Sequence, residues 1–76
     1  MIYKKICEML ADIFETEEDM IMPETSLADD LGADIQDLVE IVMMLEEEFG
    51  INTDDLELEK EVETVADLED FIERRI

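Results

Sequence analysis

The stretch DLGADIQDLVEIVMMLEEEFG, residues 30–50, contains the clearest helix signal in the chain. Asp34 is a suitable N-cap, and Asp37 three residues later matches the acidic corner of a capping box. Gly50 supplies the conformationally free residue at which helices commonly stop. These signals predict a helix from about Ile35 to Phe49, and we expect the rest of the chain to pack around it.

This central helix has more apolar residues than one buried face requires. Its core-facing stripe is expected to consist of Leu38, Ile41, Val42, Leu45 and Phe49. Val39 and Met43 form a second stripe beside the first. Two explanations stay open at this point: the helix is buried on most sides, or the second stripe contacts a partner, for which the flexible Met43 is well suited.

Two further helices are predicted at the ends of the chain. Between Ile2 and Glu15 the apolar residues recur three and four positions apart, which is typical of one helical face. Thr64 as N-cap and Asp67 three positions later predict a last helix that ends near Arg74 and Arg75. Its buried residues are expected to be Val65, Leu68, Phe71 and Ile72.

The segments between these helices are less regular. Residues 16–33 contain Pro23 and many acidic and hydroxyl side chains, which predict a long loop. Four apolar side chains are expected to anchor this loop to the core: Met20, Met22, Leu27 and Leu31. A short helix is predicted around residues 54–59, although the alternating glutamates there also fit an extended segment. The apolar contacts of this segment are expected to be Leu56, Leu58 and Val62.

The predicted fold is therefore all-α: a small four-helix bundle of three main helices plus one short helix, with a long first loop, in a single domain of residues 1–76. A chain of 76 residues can form one thin core but no enclosed active site. It contains no histidine, and its lone Cys7 is expected to be a small core residue. We expect a binding or carrier module, not an enzyme.

The charge balance indicates the kind of partner. The chain has 25 acidic and 5 basic residues, a formal net charge of −20. Such a chain repels nucleic acid and anionic membranes, and it is attracted to basic protein surfaces in a way that weakens as salt rises. No apolar run has the length of a signal peptide or a membrane span. One unpaired Cys makes a reducing cytoplasm the default, and we expect a monomer.

One acidic cluster could attract a cation. It consists of Asp29, Asp30, Asp34 and Asp37, near the start of the central helix. Oxygen-only clusters can hold Ca²⁺ or Mg²⁺ weakly, but the spacing matches no EF-hand loop. We therefore predict no dedicated metal site, and at most weak cation binding at this cluster.

The motif DLGAD at residues 30–34, followed by the acidic helix that ends in LEEEFG at residues 45–50, resembles the acyl carrier proteins of the fatty-acid synthase type. The similarity covers the whole chain, including the loop PETSL at residues 23–27 and the closing TVADLEDFI at residues 64–72. The resemblance implies the carrier-protein bundle and the family cofactor, 4′-phosphopantetheine. It also implies partners among fatty-acid or polyketide synthase enzymes with basic patches.

In that family a serine and a leucine follow the Gly-Ala-Asp of the motif, and the serine hydroxyl holds the phosphopantetheine. This chain has Ile35 and Gln36 at those positions. Forming the phosphodiester needs an oxygen nucleophile, which an isoleucine side chain lacks. We therefore predict that Ile35 cannot be loaded and that the chain as written has no cofactor. Ser26, Thr25 and Cys7 lie outside the motif and are poor replacements.

The resemblance further implies a partner-binding surface on the central helix. The residues expected to form it are Asp34, Gln36, Asp37, Val39, Glu40, Met43, Glu46, Glu47 and Glu48. The equivalent of the family's acyl-chain cleft would be lined by Ile6, Leu45, Val62, Leu68 and Phe71. Without a tethered chain to fill it, that cleft could equally be filled core.

The main hypothesis is an acyl-carrier-protein-like module that docks on its partners but is not loaded. Two alternatives remain open. The chain could be a modified form or a close relative of a working acyl carrier protein, in which case restoring the serine should restore loading. It could also be a generic acidic interaction module, whose binding would depend on charge alone.

Overall fold

Four α-helices account for most of residues 2–76, which are the residues that the computed structural model describes. The helices are α1 (Ile2–Phe14), α2 (Ile35–Phe49), α3 (Asp55–Glu61) and α4 (Val65–Glu73). A single 3₁₀ turn, Glu18–Met20, lies in the long first loop. The described residues contain no β-sheet, only an isolated bridge between Ser26 and Thr64. The predicted all-α bundle of three main helices and one short helix is confirmed.

The ends of α2 follow the local signals in the sequence. Asp34 Oδ1 accepts a hydrogen bond from the Asp37 N–H at 3.0 Å, and the Asp34 N–H donates to Asp37 Oδ2 at 3.1 Å. This reciprocal pair is a capping box, which satisfies two N–H groups that the helix cannot satisfy itself. Gly50 ends the helix with a φ of 67°, in the left-handed region that favours glycine.

All four helices contribute to the core, with Leu58 coming from α3. Its fully buried side chains are Ile6, Leu10, Ile41, Leu45, Leu58, Val65, Leu68, Phe71 and Ile72. Burying one such side chain stabilises the fold by about 1.5–3 kcal/mol. The predicted inward faces of α2 and α4 are confirmed, with Phe49 only half-buried. Cys7 is a buried core residue, as expected.

Backbone hydrogen bonds join the long first loop to the start of α4. The N–H groups of Val65 and Ala66 donate to the carbonyls of Thr25 at 2.9 Å and Pro23 at 2.8 Å. In the reverse direction, the Leu27 N–H donates to the Glu63 carbonyl at 3.0 Å. The loop therefore satisfies N–H groups that the first turn of α4 leaves without partners.

Two of the predicted loop anchors are wrong. Met20 and Met22 are exposed, and Ile21 between them is buried. Ile21 has an extended backbone, in which neighbouring side chains point to opposite sides, so when Ile21 faces the core Met20 and Met22 face solvent. Leu27 is buried, and Leu31 packs half-buried against the core, so these two anchors are confirmed.

The segment before α4 is helical, so the extended alternative is wrong. Asp54 caps α3 by accepting from the Glu57 N–H at 2.8 Å. Leu58 and Val62, which are four positions apart, face the core as predicted. Leu56 is exposed, contrary to expectation, because a residue two positions from Leu58 lies on a different side of the helix.

The C-terminal arginines hold α3 against α4. Arg75 Nη2 lies 3.2 Å from Glu57 Oε2 and 3.4 Å from Glu61 Oε2, while Arg74 Nη2 lies 3.5 Å from Glu61 Oε1. The Arg75 guanidinium also stacks 3.6 Å from the centre of the Phe71 ring. Two of the five basic residues of the chain are therefore used between these helices.

Candidate partner-binding surface at the second helix

Ile35 lies at an exposed corner of the molecule, where α2 begins. It directly follows the capping residue Asp34, and 49% of its surface is exposed. Within residues 2–76, no loop carbonyl accepts from the N–H groups of Ile35 or Gln36, unlike at the start of α4. A hydrocarbon side chain at such a corner can make apolar contacts, but it provides neither a nucleophile nor a titratable group.

Ile35 is the first member of an exposed apolar row on α2. Val39 is 41% exposed and Met43 is 55% exposed, and the three residues are spaced four positions apart. Residues with this spacing lie above one another on a helix, so the row is about 12 Å long. We call Ile35, Val39 and Met43 the α2 apolar stripe. Because the stripe is open to solvent, the explanation that α2 is buried on most sides is wrong.

Acidic residues flank this stripe. The expected partner-binding residues that are exposed and charged are Asp34, Glu40, Glu46, Glu47 and Glu48, and Gln36 is exposed as well. Glu48 Oε2 lies 3.6 Å from Lys5 Nζ, in a solvent-exposed pair of the kind that stabilises a fold by at most about 1 kcal/mol. In the described part of the chain, Glu40, Glu46 and Glu47 have no basic partner within ion-pair distance.

The acidic cluster before α2 is not arranged as a ligand set. Asp30 Oδ2 accepts from the Ser26 N–H at 2.8 Å, and Asp34 and Asp37 are used in the capping box. Across residues 2–76, no three acidic or cysteine side chains come together in a way that could hold a metal ion. The suggested weak cation site at Asp29, Asp30, Asp34 and Asp37 therefore has no preformed geometry.

A cleft of about 390 Å³ opens beside Ile35, between the loop, the start of α2 and the end of α3. Its apolar floor consists of Leu27, Ala28, Ala33, Ile35, Leu38 and Val62. Its charged rim consists of Asp34, Glu59, Lys60, Glu61, Glu63 and Asp67. We call this feature the Ile35 cleft.

The residues that the resemblance implied for an acyl-chain cleft do not form the Ile35 cleft, and the filled-core alternative describes them better. Ile6, Leu45, Leu68 and Phe71 are fully buried and form filled core, and only Val62 of the five expected residues lines the Ile35 cleft. The cleft was missed because its walls come from segments far apart in the sequence, which leave no local periodicity. The one available signal was the pair of small residues Ala28 and Ala33, whose side chains leave the space open.

Hydrogen bonding fixes the charge of one rim residue. The pKa of Asp67 lies below its ordinary value of 3.8, because its carboxylate accepts from the backbone N–H groups of Thr64 and Glu63. On α3, the pKa of Glu57 is also lowered, chiefly by the hydrogen bond from the Thr53 hydroxyl and further by Arg75. The carboxylate of Asp67 therefore keeps its negative charge at the margin of the cleft well into the acidic range.

Tyr3 and Cys7 lie away from this surface. Burial, together with hydrogen bonding to Cys7, raises the pKa of Tyr3 to about 12. The Tyr3 hydroxyl donates to the Ile21 carbonyl at 3.3 Å, which ties α1 to the loop. Tyr3 is therefore a neutral structural residue near neutral pH.

Comparisons with known proteins agree with this fold. Residues 4–72 match a family model described as the phosphopantetheine attachment site. An acyl carrier protein from Thermotoga maritima is 40% identical over 75 residues, which cover 99% of this chain and 91% of that protein. One from Thermosynechococcus vestitus is 43% identical over the same shares of both chains. The chain belongs to the acyl carrier protein family.

Membership of the acyl carrier protein family confirms two predictions. Proteins of this family are carriers and not enzymes, as expected here from size and composition. The cofactor that the family model names is phosphopantetheine. Among the helices of residues 2–76, none has both the length and the apolar character needed to cross a membrane.

Proposed function

We propose that this member of the acyl carrier protein family works without a prosthetic group. It would dock through α2 on basic patches of enzymes that handle carrier proteins, in fatty-acid or polyketide synthesis. The observation that supports this most directly is Ile35, exposed directly after the Asp34 cap, where the resemblance to the family places the phosphopantetheine serine. A hydrocarbon side chain has no nucleophile with which to attack coenzyme A.

The two hydroxyl groups of the first loop that could replace the serine are hydrogen-bonded within the loop, which also supports an unloaded protein. Thr25 is buried, and its Oγ1 accepts from the Met22 N–H at 2.9 Å. Ser26 Oγ accepts from the Asp29 N–H at 3.0 Å within the loop. Neither hydroxyl stands at the start of a helix in the Asp-Ser-Leu context of the family.

Docking is supported by the surface of α2. Glu40, Glu46 and Glu47 have no internal basic partner among residues 2–76, so their charges are available to a basic patch. Such charges steer association, and the α2 apolar stripe provides area for contact once the partner has arrived. The net charge of −20 disfavours contact between two copies, which supports a single-domain monomer. We place it in the reducing cytoplasm because its only thiol, Cys7, is buried and free.

Loading is tested by intact-mass measurement after incubation with coenzyme A and a phosphopantetheinyl transferase of broad specificity. We expect no mass gain for the unsubstituted chain. The Ile35→Ser/Gln36→Leu double variant should gain one phosphopantetheine if the chain is a close relative of a working carrier. The acyl carrier protein of Thermotoga maritima serves as the positive control. A gain of one group by the unsubstituted chain would overturn the proposal.

Docking is tested by surface plasmon resonance on an immobilised fatty-acid synthase enzyme with a basic carrier-binding patch. We expect Glu40→Lys to weaken binding by about tenfold or more, because it puts a positive charge beside the stripe. Glu73→Lys makes the same charge change at an exposed position at the end of α4 and should have little effect. Equal losses in the two variants would favour the generic acidic module.

A further inference from the structure

We propose that the Ile35 cleft is a second contact site, which takes an apolar side chain followed by arginine or lysine from a segment of a partner protein. The proposal rests on the proposed function in one respect, namely that the chain binds a protein partner. It adds a contact that lies partly outside α2, and it names the chemistry of the partner residues that enter the cleft.

The floor of the cleft is suited to an apolar side chain. Six apolar residues line it, and its volume of about 390 Å³ falls within the range of about 300–1,000 Å³ that is typical of binding pockets. Ile35 belongs both to this floor and to the α2 apolar stripe, so the two features form one continuous apolar surface. A segment that lay along α2 could place a side chain in the cleft without leaving the protein.

The rim of the cleft determines the charge of its occupant. Five carboxylates stand around it with one basic residue, Lys60. Asp34 and Asp67 accept capping hydrogen bonds, and Glu61 is paired with Arg74 and Arg75. Two rim residues remain exposed with no ionic partner and no side-chain hydrogen bond among residues 2–76: Glu59 and Glu63. The rim therefore repels a carboxylate and attracts an ammonium or guanidinium group.

The shape of the surface favours a peptide segment over a small free amine. Ile35 lines the cleft and is also the first residue of the exposed stripe that runs about 12 Å along α2. A single alkylamine would fill only the cleft and leave Val39 and Met43 exposed. A segment with an apolar residue in the cleft and basic residues against Glu59 and Glu63 would cover both.

The probe is an eight-residue fluorescein-labelled peptide with two leucines followed by two arginines, between glycine and serine spacers. The matched probe has two glutamates in place of the arginines. In ¹H–¹⁵N spectra of the full chain, we expect the arginine peptide to shift the amides of Ala28, Ala33, Val62 and Glu63. The glutamate peptide should bind at least about tenfold more weakly by fluorescence anisotropy. Shifts confined to residues 46–48 would overturn the cleft proposal and leave docking through α2 intact.

Two matched pairs of variants test the cleft directly. Ala28→Trp puts a bulky side chain into the cleft and should weaken peptide binding by about tenfold or more, while Ala66→Trp, at an exposed alanine of α4 outside the cleft, should not. Lys60→Gln removes the repelling ammonium and should tighten binding about two- to threefold. Lys4→Gln makes the same charge change on α1 and should leave the affinity unchanged.

Three outcomes would contradict the proposal. One is unchanged affinity in a folded Ala28→Trp variant, judged by its circular dichroism. Another is equal tightening by Lys60→Gln and Lys4→Gln, which would indicate a response to net charge alone. The third is binding of free octylamine, and not of the peptide, at the same amides, which would assign the cleft to a small amphiphile. None of these affects the loading assay, so the two proposals can fail separately.

Discussion

The starts of α2 and α4 are nearly the same local structure in two different surroundings. Each begins with a reciprocal capping box, Asp34 with Asp37 and Thr64 with Asp67, and each has a β-branched aliphatic residue next. That next residue is 49% exposed at Ile35 and fully buried at Val65. The same local signal therefore produces a helix start at an exposed corner in one case and in the core in the other.

The first loop accounts for the difference in exposure between Ile35 and Val65. At the start of α4 its carbonyls accept from the N–H groups of Val65 and Ala66, and its Leu27 N–H donates to the Glu63 carbonyl. At the start of α2, within residues 2–76, no loop carbonyl accepts from the N–H groups of Ile35 or Gln36, and the Ile35 cleft lies beside the helix. Capping chemistry decides where a helix begins, whereas long-range contacts decide whether its first residue stabilises the core or remains available to a partner.

The largest loss of stability is expected for a substitution at Val65. Val65→Ala removes two carbons from a fully buried position and leaves a small cavity, so we expect a loss of about 2 kcal/mol in the free energy of unfolding. Urea denaturation followed by circular dichroism measures it. A loss below about 0.5 kcal/mol would mean that the two helix starts differ less in packing than their exposures indicate.

Removing the two helix caps should lower the free energy of unfolding by less than Val65→Ala does. Thr64→Ala removes a cap that is partly buried beneath the loop and should cost about 1–2 kcal/mol. Asp34→Ala removes an exposed cap and also one charge from a strongly acidic molecule, so it should cost about 0.5–1 kcal/mol. Urea denaturation at two salt concentrations checks this, because added salt screens the repulsion and should bring the two losses closer together.

A pH-dependent difference is expected for the capping box of α4. Because the pKa of Asp67 is lowered in the fold, its ionised carboxylate stabilises the protein fully above its ordinary pKa of 3.8. This contribution is lost as the pH falls through the lowered value. The stability gap between the natural chain and Asp67→Asn should therefore be constant from about pH 7 to 5 and shrink below about pH 4. A gap that does not change with pH would contradict this.

The smallest effect is expected at Ile35. Ile35→Ser changes an exposed side chain whose removal opens no core cavity, so the free energy of unfolding should change by no more than about 0.5 kcal/mol. The same urea experiment measures it beside Val65→Ala. A loss comparable to that of Val65→Ala would show that Ile35 has a structural role, and it would weaken its assignment to a partner surface.

Local signals predicted most of this fold. Both capping boxes, the stop at Gly50 and the buried faces of α2 and α4 follow from short-range spacing and side-chain chemistry. Met20, Met22 and Leu56 were predicted incorrectly because loops and short helices lack enough periodic residues to reveal their inner side. Helical spacing also predicted Val39 and Met43 as a second apolar row, to which the structure adds Ile35. The Ile35 cleft could not be predicted, since segments far apart in the sequence form it.

The hydrogen bonds between the first loop and α4 have a consequence for how the molecule opens. They join residues about 40 positions apart, through the amides of Leu27, Val65 and Ala66. None of these three bonds can break for long unless the loop and α4 separate. The three amides should therefore exchange with deuterium at a common rate, as one cooperative unit, while the amides of Ile35 and Gln36 exchange freely.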